Sequence, residues 1–321
     1  MVCEGKEERM GKKDTITKEY MSKPQYFADA FNSSVFKGKQ VIKPDELFLE
    51  ERDVTEMGII ITEDAKDVIQ RVRDVLKRSV VMNDGKTAYL LLGIENQSDV
   101  HYAMPVRNLI YDALNYGQQV NRIASMHKEK KDLKDSEFLS GFSKEDKLMP
   151  VITLTVYFGS GDWDAPRCLK DMFPKDISEE ILEEVDDYKL HLIIPNEIED
   201  FSLFQTDFGK AMKYIAVSER PDEVEKLSED ERFRSVNVDT VQLINECTDS
   251  NISIIKGEEV VNVCKGLEGF AEKRAARADA LRLVECVDNL IKNLGLSLEA
   301  ACNAIGSSIQ KYEESKDLLK S

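Results

Sequence analysis

Short runs of apolar, β-forming residues interrupt an otherwise helix-patterned chain and set its organisation. Ala88-Tyr-Leu-Leu-Leu-Gly-Ile94 is too continuous for a half-exposed strand and predicts a central strand buried on both faces. A second strand-like segment begins at Arg73-Asp-Val-Leu, and Asn83-Asp84-Gly85 between the two is a hairpin turn signal. Val151-Ile-Thr-Leu-Thr-Val-Tyr-Phe158 and Lys189-Leu-His-Leu-Ile-Ile194 predict two more strands, ended by Gly159-Ser-Gly161 and by Pro195. Val41 to about Asp64 reads as loops and short strands, broken by Pro44 and Gly58.

Around these runs the period is helical. Pro24 to Phe36 carries apolar residues at 27, 31 and 35 and is closed by Lys37-Gly38, which predicts the first helix. Pro105 suits the first turn of another, running to about Ala124, with Leu109, Ile110, Ala113 and Leu114 as its core stripe and Arg107, Tyr111 and Gln118 near a second face. Beyond about Phe204 strand signals fade and helices are expected, with Gly295 closing one and Ser297 capping the next. Polar residues 1–20 read as a disordered leader, and the charged stretch His127 to Lys147 as a mobile insertion. The expected organisation is a leader at 1–20, an α/β domain at 21–217 with a mixed sheet flanked by helices, and a helical region at 218–321.

Candidate chemistry gathers where the central strand ends, in Glu95-Asn96-Gln97. Residues two apart project to one side of a strand, so Glu95 and Gln97 should face a common site. Asp74 stands twenty-one residues upstream of Glu95, and hairpin pairing would bring it alongside. Two carboxylates at neighbouring strand ends make an oxygen-ligand site suited to Mg²⁺ or Mn²⁺. Asp67 competes with Asp74, but its spacing would demand a long hairpin.

The pattern Asp74, Glu95-x-Gln97-Ser98, Met104-Pro105-x-Arg107 and Tyr111 resembles the Rpn family of recombination-promoting nucleases and transposase-like proteins, a branch of the PD-(D/E)XK nucleases. Leu154-Thr-Val-Tyr-Phe-Gly159 followed by Trp163-x-Ala165-Pro166-Arg167-x-Leu169-x-Asp171-Met-Phe173 resembles that family's second signature. The resemblance spans about residues 20 to 215. It implies a restriction-endonuclease-like core and Mg²⁺- or Mn²⁺-dependent cleavage of DNA. Asp74 and Glu95 would hold the metal with the Asn96 carbonyl, Gln97 would position water or phosphate, and Arg107 and Tyr111 would contact the substrate. The first helix of this superfamily often adds an acidic ligand, for which Asp29 is the candidate. The usual Lys of the superfamily is Gln97 here, which cannot carry that charge or proton.

Composition narrows the partners. A net charge of −17 argues against a protein that coats nucleic acid through a globally positive surface, although Arg71, Arg73, Lys77 and Arg78, then Arg107, Arg122, Lys128, Lys130 and Lys131, flank the candidate site. No apolar run reaches membrane-spanning length and the start has no apolar signal region, so a cytoplasmic protein is expected. Six scattered cysteines with no CxxC pair give neither a zinc knuckle nor a disulfide framework, and His101, His127 and His191 share no ligand spacing. Trp163 reads as a core cap before a base-stacking platform. The C-terminal helices read as packing or self-association elements, because the segment SLEAACNAIG has no Lys or Arg for a recognition helix. The rival to a nuclease is a binding protein that keeps the fold with weak or no catalysis.

Overall fold

The computed structural model describes residues 2–49, 75–83, 86–248, 250–267 and 270–320. Two compact units share the chain discontinuously: Met1–Ala216 with Asn237–Glu259, and Val217–Val236 with Val260–Ser321.

The first unit opens with α1 (Val2–Ser22) and α2 (Pro24–Ser34). The leader expected over 1–20 is thus helical. Its polar composition hides its anchor, which lies in the last turns: Thr17, Tyr20 and Met21 are buried, and the Tyr20 ring stacks on Tyr26 at 4.0 Å between centroids. Pro24 starts α2, and every residue from Tyr26 to Ser33 is buried, so α2 is a core helix with no solvated stripe.

Among the described residues, β1 (Leu47–Leu49), β2 (Val75–Asn83), β3 (Lys86–Gln97), β4 (Val151–Tyr157) and β5 (His191–Ile193) form one mixed sheet in the order 1-2-3-4-5. β2 and β3 are antiparallel, from Val75 opposite Ile94 to Asn83 opposite Lys86; residues 84 and 85 of the expected turn lie outside the described residues. β3, β4 and β5 run parallel. Parallel neighbours need a crossover, and α3 (Met104–Lys130) supplies it between β3 and β4, about two turns longer than the sequence suggests.

The segment expected to be a mobile insertion is folded. Lys131 turns left-handed at φ 54° to end α3, α4 (Asp135–Ser140) follows, and Gly141 closes it at φ 68°. In the last turn of α3, His127 is bracketed by two carboxylates, Nδ1 at 2.7 Å from Asp132 Oδ1 and Nε2 at 2.9 Å from Asp146 Oδ2. Those two hydrogen bonds raise the His127 pKa, whereas His127 lowers that of Asp132, and the Ser143 backbone N–H, with His127, lowers that of Asp146. A raised histidine pKa contributes stability fully present below the unfolded value of about 6.5 and lost as pH rises through the folded value. The lowered aspartates act oppositely, losing their contribution as pH falls through their folded values. The bracket should therefore hold from the ordinary carboxylate range up to the raised His127 pKa. An NMR titration of the His127 ring is expected to give a midpoint above 6.5, and a midpoint at or below 6.5 would contradict the bracket.

Past β4 come α5 (Glu179–Glu183), β5, α6 (Asp207–Val217) and, after the excursion into the second unit, α8 (Val238–Thr248). Helix α8 was expected in the C-terminal region. It belongs to the first unit because the Asp239 carboxylate takes the Lys23 ammonium at 2.5 Å and the Tyr26 hydroxyl at 3.1 Å, while Thr240 Oγ1 lies 2.9 Å from the Tyr20 hydroxyl.

The second unit holds α7 (Pro221–Lys226), α9 (Val263–Leu267), α10 (Phe270–Leu294), α11 (Leu298–Ala304) and α12 (Ile309–Lys320). Ser297 caps α11 as expected, accepting from the Ala300 N–H at 3.2 Å. Val284, Val287, Ala301, Cys302 and Tyr312 make a core cluster where α10, α11 and α12 meet. No helix among the described residues is long and apolar enough to cross a membrane.

Candidate active site

The site is built on the parallel pair β3–β4. Register runs from Leu91 opposite Val151 to Gln97 opposite Tyr157, which places Glu95 opposite Thr155. The Phe158 N–H donates to the Gln97 carbonyl at 2.8 Å, so the two strands end together. Ligands of open α/β sheets gather beyond the carboxyl ends of parallel strands, and Glu95 to Gln97 stand at such an end. Gly159 then lets the chain turn tightly, since a Cβ there would overlap the Tyr157 ring.

Strand β4 alternates Thr153, Thr155 and Tyr157 with Leu154 and Val156, and these residues are all buried. Buried hydroxyls need partners, and α3 provides them. Asp112 Oδ1 accepts from the Thr153 hydroxyl at 2.5 Å, and Oδ2 accepts from the Tyr188 hydroxyl at 2.5 Å. Asn108 Nδ2 donates to Thr155 Oγ1 at 3.0 Å, and Asn115 Nδ2 donates to the Tyr111 carbonyl at 2.8 Å. The buried face of α3 is therefore Met104, Pro105, Asn108, Tyr111, Asp112, Leu114 and Asn115; of the apolar stripe expected, Leu114 is buried and Ile110 half-buried, while Leu109 and Ala113 are exposed. The inward face carries polar residues where it meets the Thr153 and Thr155 hydroxyls of β4.

The sequence-derived site residues fall as follows. Asp74 lies outside the described residues, immediately before Val75, which pairs with Ile94. Glu95 is described in its backbone alone, opposite Thr155. Asn96 and Gln97 are buried, and Gln97 Nε2 donates to the Asn96 carbonyl at 3.0 Å, the oxygen expected to bind metal. Arg107 Nε donates to the Tyr111 hydroxyl at 3.2 Å, its guanidinium carbon 5.8 Å from the Tyr111 ring centre, so these two form one unit on successive turns. Asp29 is engaged elsewhere. It is 3% exposed, and its oxygens accept from the backbone N–H groups of Gln205 and Thr206, both at 2.9 Å, and from the Thr206 hydroxyl at 2.5 Å.

The second signature forms a braced loop. Asp171 accepts from the N–H groups of Arg167 and Cys168 at 2.9 and 3.1 Å, and the Arg167 bond is the main cause of its lowered pKa. The Arg167 guanidinium grips Glu197 with two bonds, at 2.8 and 2.5 Å. Trp163 is buried edge-on against Tyr157, 5.5 Å between centroids, in a cluster with Met104, Ala165 and Ile194; this is the core-cap role. Desolvation lowers the pKa of His191 against a partial pull from Asp112.

Among the described residues no group of three or more His, Cys, Asp or Glu side chains could hold a metal ion. The strand register sets Thr155, whose hydroxyl accepts from Asn108 Nδ2, opposite Glu95. Carboxyl groups of the kind Glu95 and Asp74 carry would suit Mg²⁺ or Mn²⁺, which take oxygen ligands, better than a thiolate- or imidazole-bound metal.

Gln97 gives a direct test of local structure. Gln97→Glu removes the donor to the Asn96 carbonyl and sets a carboxylate against that oxygen at a position only 8% exposed. The variant is expected to lose about 1–3 kcal/mol of stability. A native melting temperature for Gln97→Glu in metal-free buffer would show that the Gln97 amide does not hold the strand end.

No curated protein and no solved structure matches the chain. A family model described as "Putative transposase, YhgA-like" matches residues 65–229, slightly more than half of the chain and inclusive of β2 to β5 with the whole polar face of α3. The chain belongs to this family of YhgA-like transposase-related proteins.

Proposed function

We propose that the protein is a divalent-metal-dependent DNA endonuclease with a PD-(D/E)XK-type core, acting in DNA recombination or on mobile elements. The observation that carries this reading is the Glu95 to Gln97 segment at the carboxyl end of a parallel strand pair, backed by a buried polar helix face, inside the region that matches a transposase-related family. Asp74 and Glu95 would hold the cation with the Asn96 carbonyl. The chemistry that Mg²⁺ or Mn²⁺ would supply there is a lowered pKa for the attacking water and neutralised charge on the phosphodiester. Gln97 fixes the strand end and orients the phosphate or water by hydrogen bonding. Arg107, steadied by Tyr111, supplies a cation to the phosphate backbone. The test is nicking of supercoiled plasmid DNA by the purified chain with Mg²⁺ or Mn²⁺ and its suppression by EDTA.

One observation favours a second reading, a nuclease-fold binding protein with weak or no catalysis. Gln97 stands where the superfamily carries Lys, and its amide nitrogen is engaged by a backbone carbonyl. On that reading the chain shifts DNA mobility without metal-dependent nicking.

A further inference from the structure

We propose that residues 128–147, at the far end of α3 and on α4, form a duplex-DNA contact separate from the strand end, in which Phe138 and Leu139 wedge between base pairs and the lysines around them hold phosphates. The inference rests on the DNA-acting reading above and on none of its metal ligands. A single exposed apolar side chain needs no explanation, but Phe138 and Leu139 are adjacent and are 70% and 86% exposed. They stand on a firm base. Gly141, turning left-handed after α4, lies so close to α3 that a Cβ there would sit 2.9 Å from the Ala124 Cβ. The bracket of His127 by Asp132 and Asp146 ties the chain on both sides of α4 to the last turn of α3.

The charge around the pair selects the partner. Lys128, Lys130, Lys131, Lys134, Lys144 and Lys147 are all exposed, in a chain whose net charge is −17. The same stretch holds six carboxylates, but Asp132 and Asp146 are taken by His127, and Glu137 Oε1 accepts from the Lys144 N–H at 3.2 Å. Glu129, Asp135 and Glu145 remain, so the lysines outnumber the carboxylates left over two to one. Lysines on the phosphates with a Phe or Leu inserted between base steps is the chemistry by which proteins grip and kink the minor groove, and this stretch lies inside the region matched to a transposase-related family. Helix α3 begins at Met104, packed with Tyr157 and Trp163 at the strand end, and its 27 residues are about 40 Å long. That is the length of about twelve base pairs of duplex, so substitutions on α4 leave the strand end untouched.

The experiment titrates the full chain in EDTA into a duplex of about 30 base pairs, long enough to cover that span, with a donor dye at one end and an acceptor at the other. One titration then reads affinity and bending. The native chain is expected to bind and to raise energy transfer, because an inserted wedge kinks the duplex. Phe138→Ser with Leu139→Ser is expected to abolish that rise and to weaken binding about tenfold or more. Lys128→Gln with Lys130→Gln and Lys134→Gln is expected to lower the slope of log affinity against log salt by about 2–3. All five side chains are exposed, so both variants should keep the native melting temperature; if the Ser pair does not fold, Leu139→Ser alone decides by the same loss of energy transfer. Native affinity, energy transfer and salt slope in both variants overturn this contact and leave the DNA-acting reading standing, as does native binding with no rise in energy transfer. Loss of self-association in sedimentation by the Ser pair, at native DNA affinity, assigns the surface to a second copy and also overturns it. No binding of duplex by the native chain overturns the DNA-acting reading and this inference with it.

Discussion

Glu95→Ala is expected to lose metal-dependent plasmid cleavage by at least about 10³-fold, equivalent to roughly 4 kcal/mol of transition-state stabilisation, and Asp74→Ala to match it. Each variant removes a carboxylate that, on the proposed reading, neutralises and orients the cation, so the loss should equal that produced by EDTA in the native chain. The same substitutions should leave the metal-free melting temperature unchanged or slightly raised, because two neighbouring carboxylates repel when nothing lies between them. That combination separates a ligand from a structural residue. Cleavage retained by both variants would sink the site as drawn, and strong binding of DNA without nicking by the native chain would favour the binding-protein reading.

Asp29→Ala is expected to have the largest effect on stability. Its carboxylate accepts three hydrogen bonds from Gln205 and Thr206, the residues leading into α6, and so ties α2 to the start of that helix. Removing it leaves two backbone N–H groups and a hydroxyl without their acceptor, at about 1–3 kcal/mol each. A total of about 3–5 kcal/mol, toward the lower end of that sum, corresponds to a fall in melting temperature of roughly 6–20 °C for a unit of this size. Asp29→Asn, which keeps one acceptor oxygen, should fall less. A metal ligand behaves differently: the Ala variant would melt normally in EDTA and lose only the stabilisation that added Mn²⁺ confers on the native chain.

The strands were legible because a buried strand writes itself as a continuous apolar run, and β3 and β4 do so. Helix α2 was legible from its spacing and from Pro24 in its first turn, whereas α1 was hidden by the polar composition of residues 1–20. Helix α3 was located but its buried face was not, because Leu109 and Ala113 point outward and the inward face is Asn108, Tyr111, Asp112 and Asn115. A signal was present. Those four residues recur at steps of three, one and three, one helical face, and Thr153 and Thr155 alternate within a strand otherwise apolar enough to be fully buried. Buried hydroxyls imply polar partners, so the two patterns together point to a polar layer between α3 and the sheet. The His127 bracket was illegible for another reason. A charge-rich stretch has the same composition whether its charges are solvated or paired, and only the fold brings Asp146 back to His127.

The path of the chain through the first unit has a consequence for how the protein is made. Tyr20 on α1 finds its hydroxyl partner in Thr240, 220 positions later, and Lys23 and Tyr26 wait almost as long for Asp239. At roughly 5–20 residues per second, on the order of 10–40 s of ribosomal elongation separates the two halves of this contact. Through that interval the apolar surface of α1 and α2 is without α8, and a whole excursion into the second unit is synthesised before α8 emerges. The nascent chain thus carries an incomplete core past the point where the sheet is finished, which makes residues 1–237 a fragment prone to chaperone capture. A ribosome stalled before residue 238 should hold a protease-sensitive α1, and one stalled well beyond residue 259 a protected one.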